Sequence, residues 1–426
     1  MMTIISPPTS APMDTAGTLE GSPIDLTNEL SANKLSTSEL SANELATFGP
    51  IQLIVIQPTS FCNLNCDYCY LPDRHLKNTL SLDLIEPIFK TLFSSQFFRQ
   101  DVTICWHAGE PLAAPMAFYE AAFERICAAD RQFNTTPFTI KHSIQTNGIL
   151  INQAWCDVFK RHDIHVGVSL DGPAFLHDAH RKTRAGLGSH ASVMRGIACL
   201  QKNDIPFSII SVITQDALDY ADELFTFFME NGITNVGFNM EETEGVHRSS
   251  SLDTADNEAR YRQFMQRFWE LTAQTNGAFK LREFEAICSL IYAGDRLNHT
   301  DMNHPFAIVS IDHSGNFSSF DPELLSVKTD RYGDFVFGNV LHDSFESVCS
   351  TQKFQDIYRE MAAGIHACRE TCEYFGVCGG GAGSNKYWEN GTFNSTDTKA
   401  CHYRIKVVTD IALDALESSL AIDASH

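Results

Sequence analysis

Residues 51–72 read IQLIVIQPTSFCNLNCDYCYLP, and this stretch decides the fold. Its first seven residues form a nearly continuous apolar run rich in β-branched side chains, the pattern of a strand buried on both faces of a parallel sheet. Pro58 ends the run, and the loop that follows carries Cys62, Cys66 and Cys69 in the spacing C-x3-C-x2-C. A structural zinc site is closed by four ligands, whereas a site that does chemistry keeps a position open. Iron–sulfur clusters are normally held by Cys thiolates, and a four-iron cube with three protein ligands leaves one iron for a substrate. The bland alternative is a zinc knuckle or scattered buried thiols.

Outward from this loop, strand-like and helix-length segments alternate. Apolar runs recur at 102–106 (VTICW), 138–144 (FTIKHSI), 164–170 (IHVGVSL), 207–213 (FSIISVI) and 235–240 (NVGFNM). Helix-length segments at 81–95, 115–130, 152–162, 190–203 and 216–231 separate them. Parallel strands need crossover connections, so six βα units predict an α/β fold with a parallel sheet. Their number fits a partial (β/α)6 TIM barrel over 49–245; a doubly wound sheet is the alternative that periodicity leaves open. Residues 246–300 read as a helical bridge, 301–405 as a second, irregular and Gly-rich domain, and 406–426 as a C-terminal helix and tail. Residues 1–48, rich in Ser, Thr, Pro and Asn, read as a disordered tail.

Composition narrows the partners. Formal net charge is −22, with 53 acidic against 31 basic side chains. Phosphate binding requires clustered Lys and Arg, so nucleic acid is not expected. No apolar run reaches 18 residues and no signal-peptide pattern opens the chain, which predicts a cytoplasmic protein with no membrane span. Thirteen cysteines in so long a chain read as free, buried or metal-bound rather than as a disulfide scaffold. Cys105, Cys127, Cys156, Cys199, Cys288 and Cys349 sit alone in apolar patterns and read as small core residues.

In a parallel βα barrel the chemistry gathers at the C-terminal ends of the strands. After the second strand comes His107-Ala108-Gly109-Glu110-Pro111, after the third Gln145-Thr146-Asn147-Gly148, and after the fourth Ser169-Leu170-Asp171-Gly172-Pro173, with Arg181 twelve residues beyond Ser169. Together with the cysteine spacing and Tyr68 before the third Cys, these motifs resemble the radical S-adenosylmethionine (radical SAM) superfamily. The resemblance implies a SAM-binding [4Fe-4S] cluster on Cys62, Cys66 and Cys69. It also implies SAM contacts from Tyr68, Gly109, Glu110, Gln145, Asn147, Ser169 and Arg181, with Glu110 holding the cofactor's ammonium group and Arg181 its carboxylate. An Arg fork meets a carboxylate with two hydrogen bonds. Ala108 replaces the first glycine of the family's GGEP turn, a mild change unless that residue needs positive φ. Glu241 and Glu242, after the sixth strand, take no assigned role, and Asp171 reads as a turn cap.

Cys368, Cys372, Cys378 and Cys401 form a second set, C-x3-C-x5-C and a distant fourth. The set resembles the SPASM extension of peptide-modifying radical SAM enzymes, which carries two auxiliary clusters. Ala382 and Phe320 stand where further cysteines belong, and the missing positions are those of the inner cluster. The resemblance therefore implies one auxiliary [4Fe-4S] cluster; a tetrahedral zinc site is the alternative. The run CGGGAGSNKYWENG, with the missing cysteines, resembles the branch that forms three-residue cyclophanes in ribosomal precursor peptides, including glycine-rich-repeat types. That branch implies a precursor peptide and an electron donor such as flavodoxin or ferredoxin as partners, and Asp321, after Phe320, as catalytic base. A thioether- or formylglycine-forming maturase is a second enzyme reading. A non-catalytic electron carrier is a third, which the open coordination position disfavours.

Overall fold

The computed structural model describes residues 40–325 and 327–423. Six strands alternate with helices: β1 (Leu53–Ile56), β2 (Val102–Trp106), β3 (Ile140–Thr146), β4 (Ile164–Ser169), β5 (Phe207–Ile213) and β6 (Asn235–Met240). Each pairs with the next in parallel. A doubly wound sheet would reverse its strand order at a switch point; sequential order is that of a barrel wall. The wall stays open. Beyond β6 lies β7 (Lys280–Leu281), and beside β1 lies β8 (Ile308–Ile311), also parallel. A hairpin partner, β9 (Asn316–Ser319), continues outward from β8; β10 (Lys328–Thr329) and β11 (Gly333–Asp334) pair separately, and β12 (Gly338–Asn339) closes the outer edge on β9.

The sequence forms these elements for plain reasons. All four residues of β1 are buried, as a strand covered on both faces requires. The barrel helices are α2 (Ile85–Phe93), α3 (Met116–Phe133), α4 (Gln153–Arg161), α5 (Ala174–His180), α6 (His190–Lys202) and α7 (Ala221–Glu230), preceded by α1 (Ala42–Thr47). In α2 the buried residues Ile85, Ile88, Phe89 and Leu92 recur at i, i+3, i+4 and i+7, one apolar stripe laid on the sheet. Trp106, fully buried, receives the edges of Phe118, Tyr119 and Phe123 from α3. The bridge is two helices, α8 (Asn257–Ala273) and α9 (Arg282–Ala293), and the C-terminal part holds α10 (Gln352–Thr371), α11 (Phe375–Cys378), α12 (Gly383–Asn390), α13 (Lys399–Cys401) and α14 (Val407–Asp423).

Two boundaries move. Residues 42–47 are helical rather than tail: Ser41 and Glu44 form a reciprocal capping box, and Phe48 is buried against Phe97, Phe354 and Tyr358. Composition hid this short cap signal. The expectation for residues 1–39 lies outside the described residues. The line drawn at 301 does not divide two sheets, because β8 pairs directly with β1.

Candidate active site

The cysteine loop leaves β1 and is tied down on three sides. Cys62 N–H donates to the Arg74 carbonyl at 3.0 Å, Asn65 N–H to the Lys182 carbonyl at 2.7 Å, and Glu110 N–H to the Phe61 carbonyl at 2.7 Å. Arg184 Nε and Arg74 Nη1 donate to the carbonyls of Cys62 and Cys66, at 2.8 and 3.0 Å. Gly109 lets the β2 turn press on this loop: a Cβ there would overlap the Thr59 carbonyl oxygen. Ala108 does need positive φ, at +68°. The Ala-for-Gly change is therefore a strained one.

Cys62, Cys66 and Cys69 line a cavity of ≈ 160 Å3 at the C-terminal ends of the strands. Tyr68, Gly109, Glu110, Gln145, Asn147, Ser169 and Arg181 line the same cavity. Asp321 does not. Burial pushes the Cys62 thiol up to about 12 and the Cys66 thiol up to about 11. Such thiols ionise only for a cation that binds sulfur, and metal binding is what takes their protons.

Glu110 is buried, and its carboxylate accepts from Leu112 N–H (2.9 Å), Thr146 Oγ1–H (2.6 Å) and Asn147 N–H (2.8 Å). It clamps the ends of β2 and β3 together, and burial raises it to about 6. Gln145 Nε2 donates to Ser169 Oγ at 3.1 Å, and Asn147 Nδ2 to Asn63 Oδ1 at 2.7 Å. His107 also lines the cavity; burial lowers it to about 4, and its Nε2 has no hydrogen-bond partner among the described residues.

Asp171 is a correction. It does not cap its turn: Oδ2 accepts from Arg181 Nε at 2.8 Å and from the Tyr68 hydroxyl, and Oδ1 accepts from Val212 N–H at 2.9 Å. Burial works to raise this carboxyl, yet the Arg181 guanidinium and its other partners hold it below the usual range. That bond is the only one the Arg181 guanidinium makes among the described residues, so its other N–H donors remain for an anion in the cavity. Glu241 and Glu242 acquire partners too: Glu241 pairs with His247 at 3.0 Å, and Glu242 meets Arg404 at 3.4 Å, linking barrel to C-terminal region.

Asp321 is fully buried, and Oδ2 accepts from Ser384 N–H at 2.7 Å while Oδ1 has no hydrogen-bond partner among the described residues. Ser384 Oγ–H donates in turn to Glu244, at 3.1 Å, and Glu244 lines the cavity. Burial, then the nearby carboxylates of Glu323 and Glu244, hold Asp321 far above the usual carboxyl range. Burial and its neighbours Glu323 and Glu242 likewise raise Glu244 to about 8.

Cys368, Cys372, Cys378 and Cys401 share a second cavity, of ≈ 240 Å3. Cys368 and Cys372 lie one turn apart at the end of α10, Cys378 ends α11, and Cys401 ends α13. The three glycines after Cys378 all have positive φ, turning the chain past the His299 backbone. Cys401 also forms a compact trio with Asp397 and His402. Lys406 Nζ already sits 3.0 Å from that Asp and 3.2 Å from that His, so a cation is in place there. Where inner-cluster ligands would stand, Phe320 is buried beside Phe337 and Phe354, and Ala382 packs with Leu53, Val55, Met302 and Ile308. Four thiols on one cavity are enough ligands for a four-iron cube or a zinc ion, and Phe320 and Ala382 stand in apolar packing.

A family model, radical SAM superfamily, matches residues 56–228. An uncharacterised protein of Synechocystis sp., sll1766, is 61% identical over 88% of this chain and 94% of its own length. A serine-type anaerobic sulfatase-maturating enzyme of Bacteroides thetaiotaomicron is 34% identical over 42% of this chain, and the match spans 44% of that enzyme. In fold, the chain resembles anSMEcpe with bound AdoMet and Cp18Cys peptide: TM-score 0.71, 20% identity, 87% of this chain and 99% of that one. With its cysteine loop and strand-end cavity, the chain belongs to the radical SAM superfamily, as an enzyme that uses SAM and iron–sulfur clusters.

Proposed function

We propose that this enzyme modifies a ribosomally made precursor peptide, joining an aromatic ring to the β-carbon of a residue two positions later in a C–C crosslink, a three-residue cyclophane. One observation carries the reading. The inner-cluster place holds packed Phe320 and Ala382, with the buried carboxyl of Asp321 next in the chain.

When bound, the SAM-site cluster and SAM supply an organic radical that takes a hydrogen atom from an unactivated carbon. Cys62, Cys66 and Cys69 would hold that cluster; Tyr68, Gly109, Glu110, Gln145, Asn147, Ser169 and Arg181 would hold SAM; Cys368, Cys372, Cys378 and Cys401 would hold the auxiliary cluster. Crosslinking takes two hydrogens from the peptide. The β-carbon gives one as an atom, and the ring gives a proton and an electron as aromaticity returns. Asp321 would take the proton, directly or through Glu244: it lies one hydrogen-bonded residue, Ser384, from Glu244 at the cavity, and a raised proton affinity makes its ionised form a stronger acceptor. A flavodoxin or ferredoxin would supply the starting electron.

The sequence likeness to sulfatase-maturating enzymes favours a second reading, formylglycine formation. An anaerobic reaction with a short peptide of repeated aromatic-containing triplets, deuterated at the β-carbons, separates the two. We expect deuterium in 5′-deoxyadenosine and a peptide two hydrogens lighter that is inert to hydroxylamine, with neither product from Cys66→Ala. Asp321→Asn should keep deuterium transfer and lose about 10²–10⁴-fold in crosslinked peptide. A hydroxylamine-reactive aldehyde product would replace crosslinking with formylglycine formation.

A further inference from the structure

Four cationic side chains line the cavity that holds Cys368, Cys372, Cys378 and Cys401: Arg282, Lys386, Arg404 and Lys406. Three are committed to carboxylates. Arg282 pairs with Glu283, Arg404 meets Glu242 at 3.4 Å, and Lys406 meets Asp397 at 3.0 Å. Lys386 has no carboxylate partner among the described residues. It is 5% exposed, and its Nζ hydrogen-bonds to Cys368 Sγ at 3.4 Å.

Local structure aims it there. Lys386 sits in the first turn of α12, just after the left-handed glycine turn that follows Cys378. Gly364, one turn before Cys368 on α10, keeps the passage clear: a Cβ there would stand 3.2 Å from the Lys386 Nζ and overlap the Phe393 carbonyl oxygen. A buried ammonium without a counter-charge is strongly disfavoured. A neutral thiol offers it little, whereas a thiolate bound to a cluster offers a full partner. A cube held by four thiolates is an anion, and reduction adds one more negative charge. A fixed cation beside one sulfur therefore favours the reduced form, and hydrogen bonds to the sulfurs are a recognised lever on cluster potential.

We propose that Lys386 is a positioning residue of the auxiliary cluster: its ammonium donates to the Cys368 sulfur and raises the cluster's reduction potential. The inference rests on the reading that these four thiols hold a four-iron cube. In the reaction proposed above, a cube held by these thiols would supply a place for the one electron released as the peptide product forms. An external one-electron carrier of the flavodoxin or ferredoxin class would then accept that electron, and the carboxyl base would accept the proton.

The test uses the full chain with Cys62, Cys66 and Cys69 changed to Ala, reconstituted anaerobically and titrated under EPR. This background, with Lys386 intact, should carry about four irons, one cube. Lys386→Met should lower the midpoint potential by at least 59 mV, tenfold in a one-electron equilibrium. Lys386→Arg, which keeps the charge, should stay within about threefold of the background by the same conversion. A Met variant with full iron and an unchanged potential overturns the inference alone. A background without iron overturns the cluster reading and the inference with it. If the Met variant binds no iron, the Arg variant decides. Iron retained with Arg means the site needs the cation, and iron lost with Arg as well means Lys386 serves packing only.

Discussion

Replacing Asp171 by Asn tests the buried ion pair that sets Arg181 at the strand-end cavity. The Asp171 and Arg181 side chains are 4% and 9% exposed, so solvent screens their pairing little. Removing one partner of a buried pair costs about 3–5 kcal/mol, because the other charge is left uncompensated. Asn keeps one oxygen, but its amide nitrogen must face one of the donors that Asp171 now accepts from: Arg181 Nε, the Tyr68 hydroxyl or Val212 N–H. A loss of about 4 kcal/mol follows.

Urea unfolding of the anaerobically reconstituted protein, read by tryptophan fluorescence, gives the single and double variants of a cycle with Arg181→Gln. If Asp171 acts by pairing Arg181, the two losses overlap by about 2–3 kcal/mol. Losses that add within about 0.5 kcal/mol would refute the argument. The pH dependence supplies an independent check. Folding holds this carboxyl below its ordinary 3.8, so the native state keeps it ionised where the unfolded chain binds a proton. The stabilisation is fully present above pH 3.8 and is lost as pH falls through the lower native value. Asp171→Asn should remove that acid-side dependence and weaken SAM binding, while iron at the Cys62 site stays in place.

Two further outcomes are expected. Protein with Cys62, Cys66 and Cys69 changed to Ala should produce no 5′-deoxyadenosine yet keep about four irons and four sulfides; zinc in their place, or iron for two further cubes, would contradict the single auxiliary cluster. Ala108→Gly relieves a left-handed residue that costs about 1–2 kcal/mol against an unfolded-state entropy loss of about 0.4–1 kcal/mol. A net gain of about 0.5–1 kcal/mol in urea unfolding is expected, and a net loss would mean that the φ of +68° carries no strain.

Much of the barrel is legible because its signals are local. The apolar runs at 102–106, 207–213 and 235–240 coincide with β2, β5 and β6 to the residue, since buried parallel strands read as mostly apolar runs, and the polar residues Ser208, Ser211 and Asn239 are buried as well. The strand-end cavity is legible in part by the same logic: Gln145 and Ser169 lie at the ends of β3 and β4, and Gly109, Glu110 and Asn147 lie just past strand ends, where the barrel rule gathers chemistry. What stayed hidden depends on partners far away in the chain. Tyr68 reaches Asp171 across 103 residues, and β8 joins β1 although about 250 residues separate them. No local pattern announces either contact, so a sheet strand passed for part of a second domain, and a buried ion-pair partner passed for a turn residue.

In the C-terminal region the four cysteines are legible from their spacing, whereas what surrounds Phe320 is visible only in the packing. Phe320 takes a positive φ of 71° and is wholly buried against other phenylalanines. A bulky residue in that backbone region is strained, and such strain persists only where the surroundings over-determine it. The aromatic packing around Phe320 supplies that constraint, and the turn delivers Asp321 beside Ser384, whose hydroxyl reaches Glu244 at the strand-end cavity. What holds Phe320 in its strained turn therefore also holds the Asp321 carboxyl one hydrogen-bonded residue from that cavity.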